Sequence, residues 1–280
     1  MLNLVKMDLY RLFRSVSTLV MFLVTIGMVV FAVSMTKFDV SNMEPGQASD
    51  KREIGTQISE EEISVNIGIM AETLPEWATE DIKFADLLNT QIGSGLFLIV
   101  VSIFVTLFVC AEQKNGYIKN IAGQFPNRAV LVLSKTVAVG VQVLTMFFVL
   151  AVAMFVTGKI CFGSSLVLGS VGAVLKVLGG QFVLHFAFAA FLLCLSILFH
   201  SSALSMTIGI LVSCKVTSLL YVAADRLSID LTRYAIETNV TRFTQITESE
   251  EILVMMLSAV VIFLVTVGLA TVVMQKRDVR

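Results

Sequence analysis

Residues 252–274 read ILVMMLSAVVIFLVTVGLATVVM and contain no charged side chain. A helix that crosses the hydrocarbon core of a bilayer, about 30 Å thick, needs about 20 consecutive apolar residues. Since lipid offers backbone polar groups no partner, such a segment must be helical. Five further stretches meet the same requirement, and they are 15–36, 91–111, 136–157, 177–199 and 203–224.

The composition of the whole chain supports the same class of protein. Of its 280 residues, 56% are hydrophobic and 15% are charged, and the mean hydropathy is +0.88. A soluble domain of this size needs more charge to cover its surface. The sequence therefore predicts an all-α, polytopic membrane protein with six transmembrane helices in one domain, 1–280. The formal net charge of −1 cannot neutralise a nucleic-acid backbone, so we predict no nucleic-acid partner.

The distribution of Lys and Arg predicts the orientation of the chain. If the N-terminus is cytoplasmic, the inner segments are 1–14, 112–135, 200–202 and 275–280. The outer segments are then 37–90, 158–176 and 225–251. The inner set carries ten basic residues in 47 positions, and the outer set carries nine in 100. Because cytoplasmic loops are enriched in Lys and Arg, we predict both termini on the cytoplasmic side of a cell membrane.

The apolar, glycine-rich residues 160–176 fit two courses. They could form a re-entrant segment, or they could lengthen the fourth span. A complete extra span would place the basic C-terminus outside, which argues against a seventh crossing.

The N-terminal residues 1–14 predict an amphipathic elbow helix in the cytoplasmic interface. Its basic side carries Lys6, Arg11 and Arg14. The alternative is an ordinary basic flank of the first span that happens to be helical.

The outer segment 37–90 holds 12 acidic and 4 basic residues. Ser59, followed by three glutamates, indicates a helix start, because carboxylates favour the positive end of a helix. The segment could attract a cationic substrate or partner, or it could be a solvated outer face. Trp77 is expected at the outer interface, and residues 225–251 are expected to form short helices.

The inner segment 112–135 carries apolar residues at helical spacing outside the bilayer. These are Tyr117, Ile118, Ile121 and Phe125, and Gly116 and Pro126 bracket them. An apolar stripe in this position needs lipid or a protein groove to cover it.

At this loop the chain resembles a permease subunit of the type-2 ATP-binding-cassette (ABC) exporter family, and especially permeases of Gram-positive antimicrobial-peptide export or immunity. The matching positions are Glu112, Gly116, Ile118-Lys119-Asn120-Ile121, Arg128 and Lys135. The resemblance implies an elbow helix, six spans and two cytoplasmic termini.

The resemblance also implies that this loop couples the spans to a separate ABC ATPase subunit. Its anchors would be Tyr117, Ile118, Ile121 and Phe125, with Glu112 and Arg128 as polar contacts. A second permease subunit, identical or related, would complete the transporter, and the substrate would be an amphipathic or hydrophobic peptide or lipid. The alternative for the loop is a membrane-surface helix with no partner.

The sequence carries no motif for catalysis. It has no GxxxxGK[ST] loop and no HExxH, and His185 and His200 are its only histidines. We therefore predict no enzymatic activity, no cofactor and no metal, and we expect His185 to be a hydrogen-bonded packing residue. No acidic residue lies inside a predicted span, which disfavours an ion-coupled carrier.

Lys215 is the one charged residue inside a predicted span. A central lysine costs about 2.5–3.5 kcal/mol to insert, so it should line a pathway or an interface, unless it reaches the outer surface. Gly209, Ser213 and Thr217 recur at four-residue spacing and predict close helix packing.

Two functions follow from these patterns. The first is the permease subunit of an ATP-driven exporter. The second is a non-transporting sensor, immunity factor or scaffold that binds a ligand through its acidic outer segment.

Overall fold

The computed structural model describes residues 2–42, 50–60, 63–114, 128–225, 231–243 and 249–276. Its helices are α1 (Leu2–Arg14), α2 (Val16–Asn42), α3 (Phe84–Gly93), α4 (Leu96–Lys114), α5 (Ala129–Phe162), α6 (Val171–Phe199), α7 (Ser202–Ser213), α8 (Ser218–Asp225), α9 (Ile236–Arg242) and α10 (Ser249–Lys276). Its strands are β1 (Asp50–Glu60), β2 (Ile63–Thr73), β3 (Ile82–Lys83) and β4 (Leu166–Val167). Short 3-10 turns occupy Pro75–Ala78, Gly163–Ser165 and Thr232–Tyr234.

The prediction of an all-α membrane protein is confirmed at the level of its helices. Within the described ranges, four helices are long and apolar enough to cross a bilayer: α2, α5, α6 and α10. The pair α3 and α4, bent by 60°, makes a fifth candidate if it counts as one span. The predicted span 203–224 is not a continuous helix, because α7 ends after 12 residues and α8 follows a break.

The outer surface of the bundle is apolar, as lipid requires. Along α2 the buried residues Met21, Thr25, Val29 and Val33 form one stripe with four-residue spacing. The opposite side is open, and Leu19 is 60% exposed. A soluble protein rarely leaves so much apolar surface uncovered, so this surface indicates a bilayer around the bundle.

Helix α6 forms the centre of the bundle. In an apolar stretch of 18 residues, 61% of α6 is buried inside the protein. The buried share of the corresponding stretch is 28% in α2 and 22% in α10. It packs against α4, α5 and α10. Phe188 and Leu192 on α6 are fully buried.

The segment between α5 and α6 is short. Helix α5 continues to Phe162 and α6 begins at Val171, so the helices themselves absorb most of residues 160–176. Between them β4 pairs in parallel with β3, with Ile82 opposite Leu166. Helix α6 begins six residues before the predicted fourth span, and α5 extends five residues past the predicted third span.

The outer segment 37–90 contains a β-hairpin where a helix start was predicted. Strand β1 pairs antiparallel with β2, from Asp50 opposite Thr73 to Glu60 opposite Ile63. Ser59 therefore lies in a strand, and the prediction of a helix at this residue is wrong. Trp77 follows the hairpin and is buried in the protein.

Candidate functional site at two interrupted helices

The first interruption lies between α7 and α8. The amide of Val216 donates to the carbonyl oxygen of Leu211 at 3.0 Å, and the amide of Lys215 donates to that of Val212 at 2.9 Å. This pair of bonds is the Schellman ending of a helix, in which the penultimate position adopts a left-handed conformation and is usually glycine. Here that position is Lys215, with φ 58°.

The second interruption lies between α3 and α4. Ser94 and Gly95 separate the two helices, and Gly95 has φ +88°, a conformation that glycine adopts without steric cost. The Ser94 hydroxyl donates to the carbonyl oxygen of Gln91 at 2.7 Å. The chain turns by 60° between the two helices.

The two interruptions meet inside the bundle. A Cβ atom on Gly95 would lie 3.1 Å from the carbonyl oxygen of Ser213, the last residue of α7. The hydroxyl oxygens of Ser213 and Ser102 are 3.2 Å apart. A Cβ on Gly209 would lie 2.7 Å from Leu192 and 3.0 Å from the Ser102 hydroxyl oxygen. The small residues of α7 thus pack against α4 and α6 of the same chain.

Helix α9 bridges both interruptions with two side chains one turn apart. Thr241 donates its hydroxyl to the carbonyl oxygen of Gly93, at the end of α3, at 3.1 Å. The Glu237 carboxylate accepts from the hydroxyl of Thr217 at 2.6 Å and from that of Tyr221 at 2.5 Å. One short helix therefore supplies partners to the ends of α3 and α8.

Helix α9 is fixed in the bundle from two further sides. The side-chain amide of Gln181 on α6 donates to the carbonyl oxygen of Val240 at 3.0 Å. The side-chain amide of Asn239 donates to the Ser258 hydroxyl on α10 at 3.1 Å. Glu237, Asn239 and Val240 are all buried. The side of α9 with Thr238, Thr241 and Arg242 is partly buried, so the helix packs into the bundle through its other side. We refer to Ser94, Gly95, residues 214–217 and Glu237 as the break site.

Lys215 is 8% exposed, so its side chain does not reach the outer surface. Of the two alternatives for this residue, the structure has a lysine inside the protein, at a helix end. The α7 helix rises about 18 Å, less than the hydrocarbon thickness of about 30 Å, which places the break at membrane depth if α7 starts at a bilayer surface.

Glu237 is the residue of this site that the sequence reasoning missed. It was assigned to an outer segment, and the interior was expected to lack carboxylates; the structure has it 3% exposed within the bundle. A signal was present, because Ile236, Val240 and Phe243 have the spacing of one helix face. This buried carboxylate removes one ground on which the sequence disfavours an ion-coupled carrier.

His185 lies in the aromatic core of the bundle. Its Nδ1 is 2.8 Å from the carbonyl oxygen of Gln181, and its ring packs at 5.1 Å from Phe147 and 5.2 Å from Phe97. These contacts are those of a packing residue.

The predicted coupling residues are mostly beyond what the structure describes. Glu112 belongs to the last turn of α4, and Arg128 directly precedes α5. Gly116, Tyr117, Ile118, Ile121 and Phe125 lie outside the described residues. The proposed role of this loop stays a prediction.

A second buried polar cluster joins α1 to α5. Asp8 is 2% exposed and accepts a hydrogen bond from the Ser134 hydroxyl. Lys135 is buried within electrostatic range of Asp8 and Arg11. Asp8 lies four residues from both Leu4 and Leu12, the buried side of α1, so an acid on that stripe was the overlooked signal.

A scan of protein-family models found no match to this chain, and a search of curated proteins found no relative.

Proposed function

We propose that this chain is the membrane permease subunit of an ATP-driven exporter. With the interrupted pair α7–α8 and the bent pair α3–α4 each counted as one crossing, it spans a bacterial plasma membrane six times, with both termini in the cytoplasm. It works with a separate ABC ATPase and a second permease subunit. Its substrate is an amphipathic or hydrophobic peptide or lipid.

The meeting of two interrupted helices is the observation that supports transport. Non-helical backbone at membrane depth is stable only where protein buries it or where it lines a cavity. Transport sites in membrane proteins are commonly built from such half-helices, whose ends can change contacts without unfolding a span. Here Gly95 and Ser213 bring two of them together, and α9 closes over both.

The ATP-driven part of the proposal rests on residues 112–135 and their resemblance to a coupling loop. The inner segments hold 47 residues in the predicted topology, too few for a nucleotide-binding domain, and they contain no phosphate-binding loop. Any ATP hydrolysis that drives this chain therefore takes place on a partner.

Co-expression with an ABC ATPase encoded beside this gene tests the proposal. We expect the two proteins to purify together and the ATPase rate to rise in their complex. Phe125→Asp or Ile121→Asp should abolish both effects, because a carboxylate cannot enter an apolar groove without a large desolvation cost.

Tyr234→Asp is the matched control, because Tyr234 is an aromatic residue, 52% exposed, in a segment predicted to be outside. It should leave the association intact. Unchanged association and unchanged ATPase stimulation in the Phe125 and Ile121 variants would contradict the coupling role.

The position of the β-hairpin favours a ligand-responsive membrane protein as the second candidate. Strand β2 lies against α3 and α8, the half-helices on one side of the two interruptions. A ligand bound to the acidic hairpin could therefore shift the break site without being transported. The test is efflux of an amphipathic peptide from reconstituted vesicles. Efflux that depends on ATP and on the partner ATPase would favour the exporter over the ligand-responsive protein.

A further inference from the structure

A cavity of about 170 Å³ lies where α1 meets α2, against the last turns of α4. Arg11, Ser15 and Ser17 line one side of it. The other side is apolar and includes Phe104 and Phe108, whose rings stack at 6.0 Å. The cavity therefore has a cationic, hydroxyl-bearing side and an aromatic side.

The location of the cavity matches the level of a lipid headgroup. Ala111, which lines it, ends the predicted second span, and α1 is the predicted interfacial helix on the same membrane surface. At this level a phosphate meets water and the acyl chain enters the hydrocarbon. A neighbouring Leu107 is 38% exposed, so the apolar wall continues toward lipid.

The charged residue in the lining favours an anion. Among the described residues, Arg11 is the charged side chain that lines the cavity. Arginine binds phosphate oxygens through two N–H groups, and the Ser17 hydroxyl can donate to the same oxygens. The Ser15 hydroxyl instead bonds to Thr18 at the start of α2. Ser17 also lies in the first turn of α2, where the positive end of the helix dipole adds to this potential.

We infer that this cavity binds the phosphate of an anionic phospholipid, such as phosphatidylglycerol, with Arg11 and Ser17 holding the headgroup and the phenylalanines contacting the start of an acyl chain. The bound lipid would fill the joint between the elbow helix and the bundle. The inference stands apart from the transport proposal, since any membrane protein with this joint could use it.

Arg14 provides a matched control on the same helix. Its guanidinium lies 5.6 Å from the centre of the Tyr10 ring and donates to the Tyr10 hydroxyl. It is exposed and does not line the cavity. Arg14→Gln therefore removes the same surface charge as Arg11→Gln without changing the cavity.

The test uses the full chain in phosphatidylcholine nanodiscs that contain a minor fraction of photoactivatable phosphatidylglycerol. Labelled peptides are mapped by mass spectrometry. We expect labelling within residues 11–17 or 104–111, and a loss of about tenfold or more in Arg11→Gln, because a hydrogen bond to a charged group contributes at least that factor. Arg14→Gln should keep most of the labelling.

A second variant, Ala111→Phe, fills the cavity and leaves its charges in place, so it keeps the test decisive if Arg11→Gln does not fold. It should lose the same labelling. Equal labelling in the wild type and in either cavity variant would overturn the inference. So would an equal loss in Arg14→Gln, which indicates general surface charge, or full protection by millimolar inorganic phosphate, which indicates a free-phosphate site.

Discussion

Helices α6 and α7 both contain glycine, but neither helix is interrupted at a glycine. Helix α6 runs for 29 residues through Gly179 and Gly180 without interruption. Helix α7 also passes through Gly209, and it ends four residues later in a stretch with neither glycine nor proline. The break after α7 therefore has no local cause in the sequence.

Tertiary contacts explain the difference between the two helices. Helix α6 is surrounded by helices that pack along its length. The end of α7 instead meets the turn at Gly95, and the residues after it are held by Glu237. A left-handed non-glycine residue costs about 1–2 kcal/mol, and the contacts of the break site must offset this cost. Helix α9 supplies these contacts, and residues 203–224 alone do not predict them.

The largest expected effect follows from removing the carboxylate that holds the α7–α8 segment. Glu237→Ala leaves the hydroxyls of Thr217 and Tyr221 without their acceptor inside the bundle. We expect it to destabilise the protein by about 3 kcal/mol, measured by unfolding in mixed micelles. Glu250→Ala is the control, because Glu250 is exposed at the start of α10 and should change stability by less than about 0.5 kcal/mol. Equal stability of the two variants would mean that Glu237 does not support the break.

A smaller effect tests how tightly α9 sits on the continuous helix. Gly179 and Gly180 are neighbours on α6, but a Cβ at Gly180 would lie 2.3 Å from the Phe243 ring, whereas a Cβ at Gly179 meets nothing within 4 Å. Gly180→Ala should therefore cost about 1–3 kcal/mol by overpacking. Gly179→Ala should stabilise α6 by up to about 1 kcal/mol, since alanine favours a helix. Thermal unfolding of both variants measures the contrast. A neutral Gly180→Ala would show that α9 is not packed against α6 in this way.

The continuous spans could be predicted from the sequence because their signal is local. Of the predicted spans, 252–274 falls within α10 and all of 15–36 except Ser15 falls within α2, and hydrophobicity over about 20 residues determines both. The elbow helix was predicted at 1–14 and lies at Leu2–Arg14. In each of these segments lipid removes every alternative to a helix.

The errors occur where a second segment determines the structure. The glutamates after Ser59 suggested a helix start, but Val65, Ile67 and Ile69 alternate with small or polar residues, a pattern typical of a strand. The sequence predicts an outer segment for Glu237, and the structure buries this residue in the bundle. Its burial depends on Thr217 and Tyr221, about 20 residues away. Pattern reasoning along one segment does not identify such partners.

The smallest expected effect is the difference in stability between glycine and alanine at one position. Its sign distinguishes a continuous helix from an interrupted one. In a continuous helix, alanine is more favourable than glycine by about 1 kcal/mol. At a left-handed position the order reverses, since glycine adopts a positive φ without the Cβ clash. Lys215 has φ 58°, so Lys215→Gly should be about 1 kcal/mol more stable than Lys215→Ala. Both variants lose the same ammonium group, so the difference between their stabilities isolates the contribution of the backbone.

The same pair of substitutions at Met256, inside α10, is the control and should show alanine as the more stable residue. If alanine were also favoured at Lys215, residues 203–224 would form an ordinary continuous span, and the break site would lose its basis.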